Sequence, residues 1–166
     1  DFLTTGPTVG AFEAAFAAHV GAGHAVVVSS GTAALHIAVL ALDLGPGDAA
    51  IVPSLTFVAT ANAVRYTGAD VVFSDVDPDT GLMRPQDFAD ALDRAGDRNV
   101  KAVLPVHLNG QPCDMPAITA IASARGLDII EDACHALGGT IGSRKIGDGS
   151  FSSMSMFSLH PVKAIA

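Results

Sequence analysis

A chain of 166 residues with 49% apolar residues can build one domain with a sizeable core. Its net charge of −8 argues against nucleic acid as a partner, because that binding rests on Lys and Arg neutralising phosphates. No uninterrupted apolar run approaches the roughly 18 residues of a membrane span. Cys113 and Cys134 have neither metal-site nor disulfide-framework spacing, so no metal is expected and the cytoplasm is the expected compartment. With only 16% charged residues and no Trp, the surface is expected to be covered in part by material outside this chain. A start at Asp1 without Met reads as a piece of something longer.

In chain order, Thr8–Val20 has a helical pattern, with Val9, Phe12, Phe16 and Val20 as its large apolar positions and Gly21 and Gly23 as the stop. His24–Val28 is a β-branched run and a candidate buried strand. Ser29-Ser30-Gly31-Thr32 follows, then a helix over Ala33–Leu44 ended by Gly45-Pro46-Gly47. A strand is expected at Ala50–Pro53, a helix at Phe57–Tyr66, and a strand at Asp70–Phe73 leading into the turn-rich Asp75-Val76-Asp77-Pro78-Asp79. Arg84-Pro85 opens a helix through about Leu92, proline being suited to a first turn. Val100–Val106 reads as a strand, Met115–Arg125 as a helix, and Leu127–Ile130 as a strand closing on Glu131-Asp132. Ala136–Gly149 is a glycine-rich extended or hairpin connection, and Phe151–Phe157 has the pattern of a buried strand.

Short apolar strands alternating with helices, with no shift in composition, predict one α/β domain in three α/β/α layers. Its sheet is mostly parallel and covered on both faces. In open sheets of that kind ligands sit beyond the carboxyl ends of the strands, and several chemistry-bearing residues fall at such ends. Lys163 is one of three lysines, five residues after Ser158 and behind the rigid Pro161. A hydroxyl and an amine so held suit a site that grips a phosphate and attacks a carbonyl, since apolar surroundings disfavour the charged form of an amine; the alternative is a surface lysine after a strand. Ser29-Ser30-Gly31-Thr32-Ala33 lies between a strand and a helix, whose free N–H groups and positive dipole end can bind phosphate, or the Ser and Thr simply cap it. Neither a Walker loop nor a GxGxxG fingerprint is present. Phe57 could stack on a flat ring or belong to the core. Asp132, off a buried strand, needs a partner; a ring nitrogen that must stay protonated is one, and a turn cap is the other. His135 could sit beside the same ring or be structural, while Glu131 points to the opposite side. Asp75, Asp77 and Asp79 read as turn formers, because the glycine and final Glu of a calcium loop are misplaced. His24, His107 and Cys113 lack metal spacing, and His160 either tunes the environment of the lysine or packs.

The ordered series SSGTAAL, PSLTFVATANAV, DVDPDTG, PVHLNGQPCDM, IIEDACHALGG and FSLHPVK resembles the DegT/DnrJ/StrS family of nucleotide-sugar aminotransferases, from the opening LTTGPTV to Lys163. These are fold-type I enzymes using pyridoxal 5'-phosphate (PLP), so the resemblance implies the large domain of that fold over residues 1–166. The family's N-terminal lead-in, its glycine-rich segment after the lysine and its C-terminal small domain have no counterpart here. The resemblance implies that Lys163 forms the Schiff base with PLP and moves protons, and that Asp132 pairs with the pyridine nitrogen. Phe57 would stack on the ring and His135 would lie near its phenolic oxygen. Backbone groups of Gly31, Thr32 and Ala33, with the Ser158 hydroxyl, would hold the phosphate. Relatives that deoxygenate sugars carry histidine in place of the lysine, so Lys163 favours transamination. The implied partners are a keto nucleotide-sugar, glutamate as amino donor, and a second copy of the chain in a homodimer. The HPVK and LTTGPTV segments are most similar to the subfamily that makes the 4-amino precursor of pseudaminic acid from a UDP-linked 4-keto-6-deoxy-N-acetyl sugar. A sugar dehydratase on the same scaffold and a non-catalytic homologue are the alternatives.

Overall fold

The computed structural model describes residues 6–163, and within them five parallel strands form one sheet. Helix α1 (Pro7–Val20) starts with proline in its first turn and is closed by Gly21 in the left-handed region. Then come α2 (Gly31–Ala41), β1 (Asp48–Pro53), α3 (Val58–Tyr66), β2 (Asp70–Ser74) and α4 (Pro85–Ala95). They are followed by β3 (Asn99–Val103), a 3-10 turn (Leu108–Gly110), α5 (Met115–Arg125) and β4 (Asp128–Asp132). A small antiparallel hairpin of β5 (Thr140–Ile141) and β6 (Arg144–Lys145) precedes β7 (Met154–Met156). The sheet order is β2-β1-β3-β4-β7.

Alternation along each strand divides the core. Ala49, Ile51, Val103 and Ile129 join Phe88, Leu92, Met115 and Ile118 beneath α4 and α5. Ala50, Val52, Leu104 and Ile130 join Leu35, Val39, Ala63 and Val64 beneath α2 and α3. A strand buried on both faces has to be apolar throughout, which is why these strands read as continuous hydrophobic runs. Three α/β/α layers result, as expected.

Four expected elements differ, one of them the strand expected over Val100–Val106, which spans Asn99–Val103 as β3. His24–Val28 is not a strand: Val26 is 78% exposed. Among the described residues nothing supplies the ladder that a β-branched run requires. Its one side-chain tether is Val27 N–H donating to Glu13 Oε1 at 2.8 Å. The strand expected over Phe151–Phe157 shrinks to the half-buried Met154–Met156, because β4 ends at Asp132 and its register with β7 covers only three residues. Helix α2 starts at Gly31 rather than Ala33, since the Ser30 hydroxyl accepts from Ala33 N–H and so caps the helix earlier. It also stops at Ala41, just ahead of Asp43, which is left-handed at φ 54°.

Candidate active site

Period-two alternation sends the two acids at the end of β4 to opposite faces. Glu131 follows Ile129 toward α4 and α5, and Asp132 follows Ile130 toward α2 and α3. The backbone of Asp132 is held from the segment that follows β3: its N–H donates to the Pro105 carbonyl at 2.9 Å, and its carbonyl accepts from His107 N–H at 3.0 Å. Its carboxylate, 5% exposed, accepts from the Thr60 hydroxyl at 2.7 Å on Oδ2 and from Cys134 N–H at 3.3 Å on Oδ1. Lone pairs remain toward a cavity of about 1160 Å³ that Asp132 lines. Burial, then the Asp132 charge, keep the neighbouring Cys134 thiol protonated.

Glu131 is fully bonded. His107 Nδ1 accepts from Cys113 N–H at 3.2 Å, so the ring hydrogen sits on Nε2 and is donated to Glu131 Oε2 at 2.8 Å. Ser152 and Ser155 donate to Oε1, the latter at 3.0 Å. Burial pushes the Glu131 carboxyl up, but the His107 and Ser152 hydrogen bonds outweigh it and hold the group below its ordinary value. The structural role expected for Glu131 is what is found.

Strand β7 pairs with β4 through Ile130–Met154, Glu131–Ser155 and Asp132–Met156, so the chain leaving it passes beside Asp132. Ser158 and Lys163 follow. Lys163 Nζ lies 2.8 Å from His135 Nε2, and Asn109 N–H donates to His135 Nδ1 at 3.3 Å. Burial and then the Lys163 charge push the His135 ring below its ordinary value, favouring the neutral form near neutral pH. His160 is exposed, and its Nδ1 accepts from Val162 N–H at 3.3 Å.

The N-terminus of α2 meets this segment. A Cβ placed on Gly31 would stand 3.2 Å from Cys134 Sγ and 3.5 Å from Ser158 Cβ, so a side chain here would crowd Cys134 and narrow the concavity. Gly31, Thr32 and Ser158 line the same cavity, and the N–H of Ala33 is occupied by the Ser30 hydroxyl. Phe57 stands at the N-cap of α3, 68% exposed, with its ring on the cavity. Lys163, His135, Asp132, Phe57, Gly31, Thr32 and Ser158 are therefore brought to one cavity. Asp77 accepts from the N–H groups of Asp79 and Thr80, the turn role expected of it. Among the described residues no cluster of His, Cys, Asp and Glu could hold a metal, and no helix is long and apolar enough to cross a membrane.

Residues 1–166 match the DegT/DnrJ/EryC1/StrS aminotransferase family along the whole sequence. The chain belongs to this family. Spore coat polysaccharide biosynthesis protein SpsC of Bacillus subtilis is 46% identical over 165 residues, which are 99% of this chain and 41% of SpsC. The S. venezuelae DesV crystal structure, in complex with a ketimine intermediate, superposes with a TM-score of 0.86 at 41% identity, covering 96% of this chain and 41% of DesV. NtdA from Bacillus subtilis, solved with the cofactor pyridoxamine phosphate (PMP) bound, gives 0.85 at 36% identity, over 96% of this chain and 34% of NtdA. The chain thus spans about two fifths of the length of SpsC and DesV.

The DegT/DnrJ/EryC1/StrS sheet explains what sequence reasoning missed. Thr60, wholly buried on α3, lies 72 residues from the carboxylate it bonds, and Asn109 reaches His135 only through its main chain. The one signal for Thr60 was a polar side chain in an apolar helical stripe.

Proposed function

We propose that this chain carries most of the PLP site of an aminotransferase acting on a keto nucleotide-sugar, with glutamate as donor. The observation that supports it best is the convergence of Lys163, His135 and Asp132 on a cavity that Gly31 and Ser158 also line. The residues fit the cofactor: an anion-binding helix N-terminus with the Ser158 hydroxyl for the phosphate, an amine for the aldehyde, and a buried carboxylate for the ring nitrogen. PLP, when bound, supplies an electron sink that lets an amine exchange for a carbonyl. Lys163 would hold the aldehyde end of the cofactor and would take the proton released by the donor. Asp132 would keep the ring nitrogen protonated, His135 would lie near the phenolic oxygen, and Phe57 would stack on the ring. Overall, glutamate and the keto-sugar become 2-oxoglutarate and the amino-sugar.

The HPVK segment supports a UDP-linked 4-keto-6-deoxy-N-acetyl sugar as acceptor; the first three residues of the LTTGPTV opening that supports the same choice lie outside the described residues. A cytoplasmic homodimer fits the exposed apolar Leu55, Phe57 and Val58 at and beside the cavity. Residues 1–166 are then the cofactor-binding part of a larger enzyme. The test uses the full-length protein with PLP, borohydride reduction and mass mapping, followed by amination of the UDP-sugar with glutamate. The label is expected on Lys163, and Lys163→Ala should lose the label and all turnover while melting like wild type. Turnover surviving in Lys163→Ala would sink the reading.

A further inference from the structure

We propose that Thr60, oriented by Thr56, is a positioning residue that aims the Asp132 carboxylate at the cofactor's ring nitrogen; this rests on the reading of Asp132 given above. Thr60 is 0% exposed in the first turn of α3, among Ala59, Ala63 and Val64. A buried hydroxyl is costly unless bonded, and in a helix it usually turns back to a main-chain carbonyl one turn earlier. Thr60 instead reaches out of its helix to Asp132 Oδ2 at 2.7 Å.

The hydrogen count gives the arrangement a direction. A hydroxyl has one hydrogen, and that of Thr60 is on Asp132. In the Thr56–Thr60 contact at 2.9 Å, therefore, Thr56 donates. The chain of donation runs Thr56 to Thr60 to Asp132, and each donation polarises the next. It acts on a torsion that is otherwise soft, since the carboxylate plane of an aspartate turns in a broad two-fold well. Besides Thr60, the carboxylate plane meets Cys134, whose N–H contact is long at 3.3 Å and whose thiol lies beside it, a weak donor. A β-branched side chain on a helix has few rotamers, so threonine is a stiffer donor than serine.

A packing role and a hydroxyl role order the variants oppositely. Valine keeps the volume of threonine and loses the donor; serine loses the methyl and keeps the donor. Wild type, Thr60→Val, Thr60→Ser and Asp132→Asn are compared as full-length proteins. The measurements are thermal unfolding of the apoprotein, PLP affinity by absorbance titration, and kcat with the KM for glutamate. A hydrogen bond to a charged group has the strength to make Thr60→Val lose about tenfold or more in kcat and in PLP affinity, with KM unchanged. Thr60→Ser should recover most of both losses while melting lower than Thr60→Val. Thr60→Val matching wild type, or Thr60→Ser performing worse than Thr60→Val, overturns the proposal. Asp132→Asn matching wild type would instead overturn the role of Asp132 itself. If Thr60→Val does not fold, Thr60→Ser and Thr60→Ala decide: activity kept by serine and lost by alanine supports the proposal, and equal activities overturn it.

Discussion

Glu131 and Asp132 are neighbours on one strand, both almost wholly buried, yet they live in opposite surroundings. Glu131 has hydrogen bonds from His107, Ser152 and Ser155 that engage both oxygens. Asp132 has Thr60, one long main-chain contact and the weak Cys134 thiol, and its remaining lone pairs face the cavity. A buried carboxylate that is fully bonded is a structural part; one bonded only enough to be aimed is available for chemistry. Burial alone does not separate the two, and neither does sequence position. The donor inventory around each group does.

Substitutions should divide along the same line. The largest effect is expected from Asp132→Asn, which keeps an acceptor for Thr60 but loses the charge that holds the ring proton. Turnover of the full-length protein should fall about a hundredfold or more, with unfolding free energy within about 1 kcal/mol of wild type. Next is Glu131→Ala, which strands the buried His107 Nε2–H and should cost about 3 kcal/mol in denaturant unfolding. If Glu131→Ala instead left stability intact and removed PLP affinity as Asp132→Asn does, the division between the two acids would collapse.

The smallest effect is a pH dependence. Because the hydrogen bonds favour the ionised form of Glu131 and its folded value is lowered, its contribution is present in full above the ordinary value of 4.5. It is lost as pH falls through that region and below. The acid limb of the stability curve should therefore be shallower in Glu131→Gln than in wild type. Parallel limbs would mean the carboxylate is not held as described.

Most of the fold was legible because it is local. Strand and helix periods, Pro85 at a helix start and Gly126 at a helix end are written in short windows, and the site residues stood out by falling at strand ends. What escaped depends on partners far along the chain. His24–Val28 has strand composition, but a strand exists only where another supplies its ladder. The opposed orientation of Glu131 followed from alternation, while its partner His107 lies 24 residues away on a different connection. Phe57 lines the cavity, and nothing in its own sequence window separates a stacking ring from a core ring.

The pairing of Glu131 with Ser155 also acts as a gauge of length. In a parallel sheet a slip of one residue turns every side chain of the moving strand to the other face. Such a slip of β7 would swing Ser155 away, leave Glu131 short of a donor, and drive Met156 into its place. The same slip would displace Ser158 and Lys163 by about 3.3 Å, one strand rise, more than a hydrogen bond tolerates. The buried carboxylate thus works as a detent, and the one strand setting that satisfies it is also the setting that delivers the lysine to His135.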